Sequence, residues 1–157
     1  MPSPRTLRPV LASALVLALA ACGGYPDTPG GRAAEQRHEK FEALGDAMKA
    51  AGEEMKKASP DMAALAASAG RIKAMAGELP TWFPAGSGPQ DGIKKSEARE
   101  AAWTKPAEFK AAATRFADAA GKFEAAAKGG DAAAAGAAMK ALGESCKGCH
   151  DKFKEGD

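Results

Sequence analysis

Apolar residues recur at alternating steps of three and four in separate stretches of this chain. Such spacing lays them along one face of an α-helix. The first stretch runs from about Arg32 to Lys57, with Phe41, Leu44, Met48 and Met55 on one side. The second opens at Ser59-Pro60-Asp61 and continues through Met62, Leu65, Ala69, Ile72, Ala76 and Leu79 until Pro80. Ser is a favoured N-cap there, and Pro suits the first helical position. The third starts at Thr104-Lys105-Pro106 and carries Phe109, Ala112, Phe116, Ala119, Phe123 and Ala126, stopping at Gly129-Gly130. Asp131 caps the fourth, whose series is Met139, Leu142, Cys146, Cys149 and Phe153. The pattern predicts an all-α fold, an antiparallel four-helix bundle, over residues 32–157. A long connection, residues 80–103, joins the second and third helices, with a helical turn expected within Lys94–Ala102. Connections this long in compact domains are usually functional.

Composition strengthens the helical reading. Ala is the best helix former, and it fills 40 of 157 positions. After residue 21 there is no Val, and Ile72 and Ile93 are the only aliphatic β-branched residues; strands favour such residues. Many inward positions are therefore Ala, leaving thin helix seams. Close packing demands that the helices approach tightly or that something large and apolar fills the space. The formal net charge is only +2, which points to no nucleic-acid partner.

Residues 1–21 read as an export signal. Arg5 and Arg8 precede the apolar stretch Val10–Ala21, which falls short of the about 20 residues needed to span a bilayer. Leu19-Ala20-Ala21-Cys22 resembles a bacterial lipobox, with Cys22 as the lipid-attachment residue and residues 22–31 as a flexible tether. The expected location is the bacterial periplasm, anchored to membrane through lipid on Cys22. An ordinary signal peptide cut near the same place is the alternative.

The chemistry is concentrated in Cys146-Lys147-Gly148-Cys149-His150. C-x-x-C-H is the c-type haem attachment pattern. Two thiols three residues apart can each add to a haem vinyl group, and the adjacent imidazole can ligate iron. On a helix, Cys146, Cys149 and His150 share a face that turns toward the Ala-lined seam. One covalently bound haem c is the cofactor expected, with His150 as metal ligand. A Cys146–Cys149 disulfide, a thioredoxin-like site and a zinc site using His38 are weaker readings.

With these residues in place, the chain resembles cytochrome c′, the class II c-type cytochromes. The resemblance spans nearly all of residues 32–155. It rests on the C-terminal haem motif, on Arg37-His38-Glu39-Lys40-Phe41-Glu42-Ala43-Leu44-Gly45, on Leu79-Pro80-Thr81-Trp82-Phe83-Pro84-Ala85-Gly86, and on Ala102-Trp103. It implies that Arg37 pairs with a haem propionate and that Phe41 covers the distal haem side. Many members pair into dimers, and the resemblance leaves a homodimer open for this chain. Lys154 stands where the family usually has Arg, and Lys cannot make a planar bidentate contact. His38 lies about 100° around the helix from Arg37 and reads as a surface residue.

Two functions follow from the resemblance. One is a five-coordinate haem protein that binds nitric oxide or carbon monoxide and exchanges electrons with a redox partner protein. The other is a low-spin electron carrier with Met as sixth ligand, which Met48 or Met139 would supply. A peroxidase-type enzyme would need an acid–base group on the distal side, where Phe41 is apolar. No catalytic residue is therefore assigned.

Overall fold

The computed structural model describes residues 24–156. The export segment and Cys22 lie outside the described residues. Four long helices, α1 (Pro29–Met55), α2 (Met62–Glu78), α4 (Pro106–Lys128) and α5 (Ala132–Phe153), run antiparallel to their neighbours, and α3 (Ala101–Thr104) is a single turn. No strand occurs among the described residues, only an isolated bridge between Ala98 and Lys154. The all-α four-helix reading holds.

Helix starts differ from the sequence reading in two places. The first helix begins at Pro29 rather than Arg32. Thr28 caps it by accepting from the Gly31 N–H at 3.0 Å, and Pro29 brings a φ already suited to the first turn. The segment 22–31, expected as tether, therefore ends in ordered structure. The second helix begins at Met62, because Asp61 rather than Ser59 is the cap. Its carboxylate accepts from the N–H groups of Ala63 at 2.9 Å and Ala64 at 3.1 Å, and its own N–H donates to Glu54. At the other turn, Asp131 caps α5 as expected.

The core runs along the faces that the periodicity marked, with one drift. Phe109, Ala112, Phe116 and Phe123 are buried, but Ala120 and Ala127, not Ala119 and Ala126, complete the series on α4. A straight helix has 3.6 residues per turn, so a strict 3.5-residue pattern slips by one position over its length. Leu65, Ile72, Phe123 and Leu142 are fully enclosed. Burying each stabilises the fold by roughly 1.5–3 kcal/mol.

The helices do not close evenly. α1 packs on α2, α2 on α4, and α4 on α5, whereas α1 and α5 make little direct contact. They meet toward the Met55 end of α1, where glycines receive methionines. A Cβ at Gly52 would sit 3.3 Å from Met139 Cε, and one at Gly136 3.4 Å from Met55 Cε. Toward the other end of the bundle, where α1 begins and α5 finishes, they stand apart.

Candidate functional site

The space between the splayed ends of α1 and α5 is a cavity of about 510 Å³. That lies within the roughly 300–1,000 Å³ of sites for cofactor-sized ligands. From α1 it receives Arg37, Phe41, Leu44 and Met48; from α5, Cys146, Cys149 and His150. Phe109, Ala113 and Phe116 of α4 form more of its wall. The α5 residues come together because positions 146, 149 and 150 share one helical face, as their spacing required.

Both thiols are half-buried and unbridged. Burial pushes each above the usual thiol value; at Cys149 the neighbouring Cys146 acts in the same sense and Arg115 opposes it. They face the cavity as neutral thiols, flanked by a half-buried imidazole and an apolar wall. No cluster of three or more His, Cys, Asp or Glu suited to a metal ion occurs among the described residues. This donor set fits a cofactor that brings its own metal, held by two thiols and one imidazole, better than zinc.

Phe41 is half-buried, meeting Trp82 edge-on at 5.2 Å between ring centroids and Phe83 at 6.2 Å. The chain continues through Phe83 to Phe109 at 4.6 Å, and from Phe109 to Phe153 at 5.3 Å. Phe41 thus belongs to a band of rings tying α1, the connection, α4 and α5 around the cavity.

Arg37 is not a surface residue; only 3% of it is exposed. Nη1 donates to the Trp82 carbonyl at 3.2 Å and Ser87 Oγ at 3.0 Å. Nη2 donates to the Ser87 carbonyl at 2.9 Å and Ser96 Oγ at 3.0 Å. The guanidinium stacks on Phe83 and Trp103 at 4.9 and 5.1 Å. Burial pulls its pKa below the ordinary value. A guanidinium has five N–H donors, so only Nε–H remains for another acceptor.

Lys154 lies just past α5 in extended conformation, its N–H donating to the His150 carbonyl at 3.0 Å. The Arg99 N–H donates to the Phe153 carbonyl at 2.9 Å and the Glu155 N–H to the Glu97 carbonyl at 2.7 Å. These bonds clamp the connection to the end of the motif helix. Lys154 Nζ stands 3.8 Å from Glu97 at the cavity rim. His38 is on the same rim, half exposed and 3.4 Å from Glu42. Met48 lines the cavity, whereas Met139 packs on Gly52 outside it.

Tyr25 also lines the cavity, and sequence reasoning missed it. Its signal would have been a lone aromatic before Pro26 in a segment otherwise rich in Gly and Pro.

A helical bundle with an apolar cavity faced by C-x-x-C-H defines the class of helical c-type haem proteins. A family model for cytochrome c′ matches residues 32–154. Cytochrome c′ from Pararhodospirillum photometricum is 44% identical over 121 residues, covering 77% of this chain and 94% of the relative. The crystal structure of cytochrome c′ from Rubrivivax gelatinosus is similar with a TM-score of 0.72 at 35% identity, covering 80% of this chain and 97% of that one. A ferrous arginine-to-lysine variant of cytochrome c′ from Alcaligenes xylosoxidans, with nitric oxide bound, gives a TM-score of 0.72 at 26% identity, with 82% and 97% covered. The chain belongs to the cytochrome c′ family, and its cofactor is one covalently attached c-type haem.

Proposed function

We propose that this protein is an electron-carrying and gas-binding haem protein, not an enzyme, with five-coordinate iron. Cys146 and Cys149 hold the haem through thioethers and His150 ligates its iron. When bound, the haem supplies an iron that takes up an electron or a small diatomic ligand. Phe41 and Leu44 cover the distal side, exclude water and offer no lone pair. Arg37 holds the connection and Phe83 against the cavity, and toward a propionate it has its Nε–H left.

The observation that carries this reading is Phe41 on the cavity wall, locked among Trp82 and Phe83. The nitric oxide bound in the Alcaligenes xylosoxidans variant supports the same ligand class. A low-spin, Met-ligated carrier is the second reading, favoured by Met48 on the same wall. The absorption spectrum of reduced protein with and without carbon monoxide separates them: a high-spin spectrum that changes supports gas binding, and a low-spin one that ignores carbon monoxide supports Met48.

The proposal includes export to the periplasm and lipid on Cys22. No helix among the described residues is long and apolar enough to cross a membrane, so attachment rests on the lipobox. Intact-mass analysis of membrane-fraction protein tests it: acylated Cys22 as first residue is expected, and unmodified soluble protein overturns it.

A further inference from the structure

The segment next to Cys22 does not leave the bundle freely. Tyr25 sits on the cavity wall, its ring 6.2 Å from that of His38 between centroids, with Lys95 Nζ 5.0 Å over its face. Burial raises its phenol pKa. Two glycines hold this segment down. A Cβ on Gly31 would overlap the Pro26 carbonyl, and one on Gly30 would overlap the Gly86 carbonyl of the connection. The Thr28 N–H closes a turn on the Pro26 carbonyl at 2.8 Å. Gly30 and Gly31, which read as tether residues, are contact residues.

Only Gly23 and Gly24, three residue steps in all, therefore separate Cys22 from the docked Tyr25. Fully extended, they reach roughly 10 Å. The docking also fixes direction. The start of α1 and the end of α5 lie at one end of the bundle, with the cavity between them. The opposite end is a helix length away, 27 residues of α1, or about 40 Å.

We propose that the rim of the haem cavity, at Tyr25, His38, Lys95 and Glu97, faces the headgroup surface of the membrane that Cys22 anchors, with Tyr25 held within about 10 Å of that residue. This rests on the lipid-anchor reading above. A partner that exchanges electrons or ligand at this rim must approach in the membrane plane. Exposed Lys95, over the Tyr25 ring, gives that face an ammonium group for anionic headgroups.

The test uses full-length, haem-loaded protein on vesicles of phosphatidylethanolamine and phosphatidylglycerol. An amine-reactive reagent that does not enter lipid labels lysines, and peptide mass analysis compares Lys95 at the rim with Lys56 at the far end. Lys95 labelling should fall several-fold relative to soluble Cys22→Ser protein, with Lys56 unchanged. Inserting about twenty Gly/Ser residues between Gly24 and Tyr25, with a span of roughly 25 Å, should restore Lys95 labelling without altering the haem spectrum. Acylated protein whose Lys95 labels as freely as the Cys22→Ser form overturns the orientation alone. Protein with no lipid on Cys22 overturns the anchor and the orientation together.

Discussion

Arg37 Nη2 donates to the Ser87 carbonyl at 2.9 Å, joining α1 to a loop fifty positions further along the chain. The same guanidinium holds Ser87 Oγ, Ser96 Oγ and the Trp82 carbonyl. The long connection has little regular structure of its own beyond two short 3-10 turns and α3. One buried cation thus supplies partners that a helix or sheet would otherwise give. Replacing Arg37 by Ala strips the Trp82 and Ser87 carbonyls of this donor, while Ser87 Oγ keeps the Pro84 carbonyl and Ser96 Oγ keeps the Ala98 N–H. An unsatisfied buried group costs about 1–3 kcal/mol, so Arg37→Ala should lose several kcal/mol in urea unfolding. Arg37→Lys should recover little, since one ammonium cannot reach four acceptors in a planar fork. Unchanged midpoints would mean that the connection is held by its aromatic contacts instead.

Gly30 and Gly31 should tolerate no side chain. Ala is normally the better helix residue by about 1 kcal/mol, so Gly→Ala at a free helix start should stabilise. Here a Cβ meets backbone carbonyls, which cannot swing aside as a side chain can. Gly30→Ala and Gly31→Ala should therefore lower the melting temperature, whereas Gly121→Ala, inside α4, away from the cavity and with open space around its Cβ position, should raise it. Thermal melts of the three variants decide the matter.

Two carboxylates tie the bundle together and give its stability a pH dependence. Glu54 accepts from Lys57 Nζ and the Asp61 N–H, both at 2.6 Å, across the α1–α2 turn. Glu124 on α4 accepts from Lys128 at 2.8 Å and from Lys73 of α2 at 2.6 Å. These partners hold both carboxyls below their ordinary value of 4.5, the bond from Lys57 contributing most at Glu54 and that from Lys128 at Glu124. The unfolded chain then binds protons first as pH falls. The contribution is fully present above pH 4.5, the unfolded value, and is lost as pH drops through the lower folded values. Urea midpoints measured from neutral pH to pH 3 should fall less steeply in Glu54→Gln and Glu124→Gln. Parallel curves would show that the pairs contribute nothing.

The four helices and the thiol–imidazole face were legible because a helix translates spacing directly into direction. Cys146, Cys149 and His150 needed only their positions to be placed together. Phe41 and Arg37 came from resemblance, and spacing alone would have made them a core Phe and a surface Arg. The partners of Arg37 were not legible, because the loop from Pro80 to Trp103 has no period to read. Nor was the clamp between Ala98 and Lys154, a backbone pairing that any side chains permit. Tyr25 was hidden for another reason: Gly-rich sequence reads as flexible unless something packs on it. Met139 looked inward and is inward, yet the glycine opposite it decides that it fills a seam rather than the cavity.

Phe41 carries the functional distinction, and its substitution tests it. The ring sits edge-on to Trp82 at 5.2 Å, so a diatomic ligand that enters beside it must displace a packed group. Overpacking of this kind costs roughly 1–3 kcal/mol, which corresponds to about a five- to 150-fold slower or weaker uptake than an open site would show. Phe41→Ala removes that obstacle. Carbon monoxide uptake by the reduced protein should speed by up to that factor, and larger anions should begin to bind. The cavity it leaves should also cost stability, less than the 3–5 kcal/mol of a fully enclosed Phe, because Phe41 is only half-buried. Phe41→Met offers a thioether at the same place on the wall and should turn the reduced spectrum low-spin and deaf to carbon monoxide. Stopped-flow mixing with carbon monoxide measures all three proteins. If the native protein is already low-spin and the Phe41→Ala variant remains so, Met48 holds the sixth site and Phe41 is packing alone.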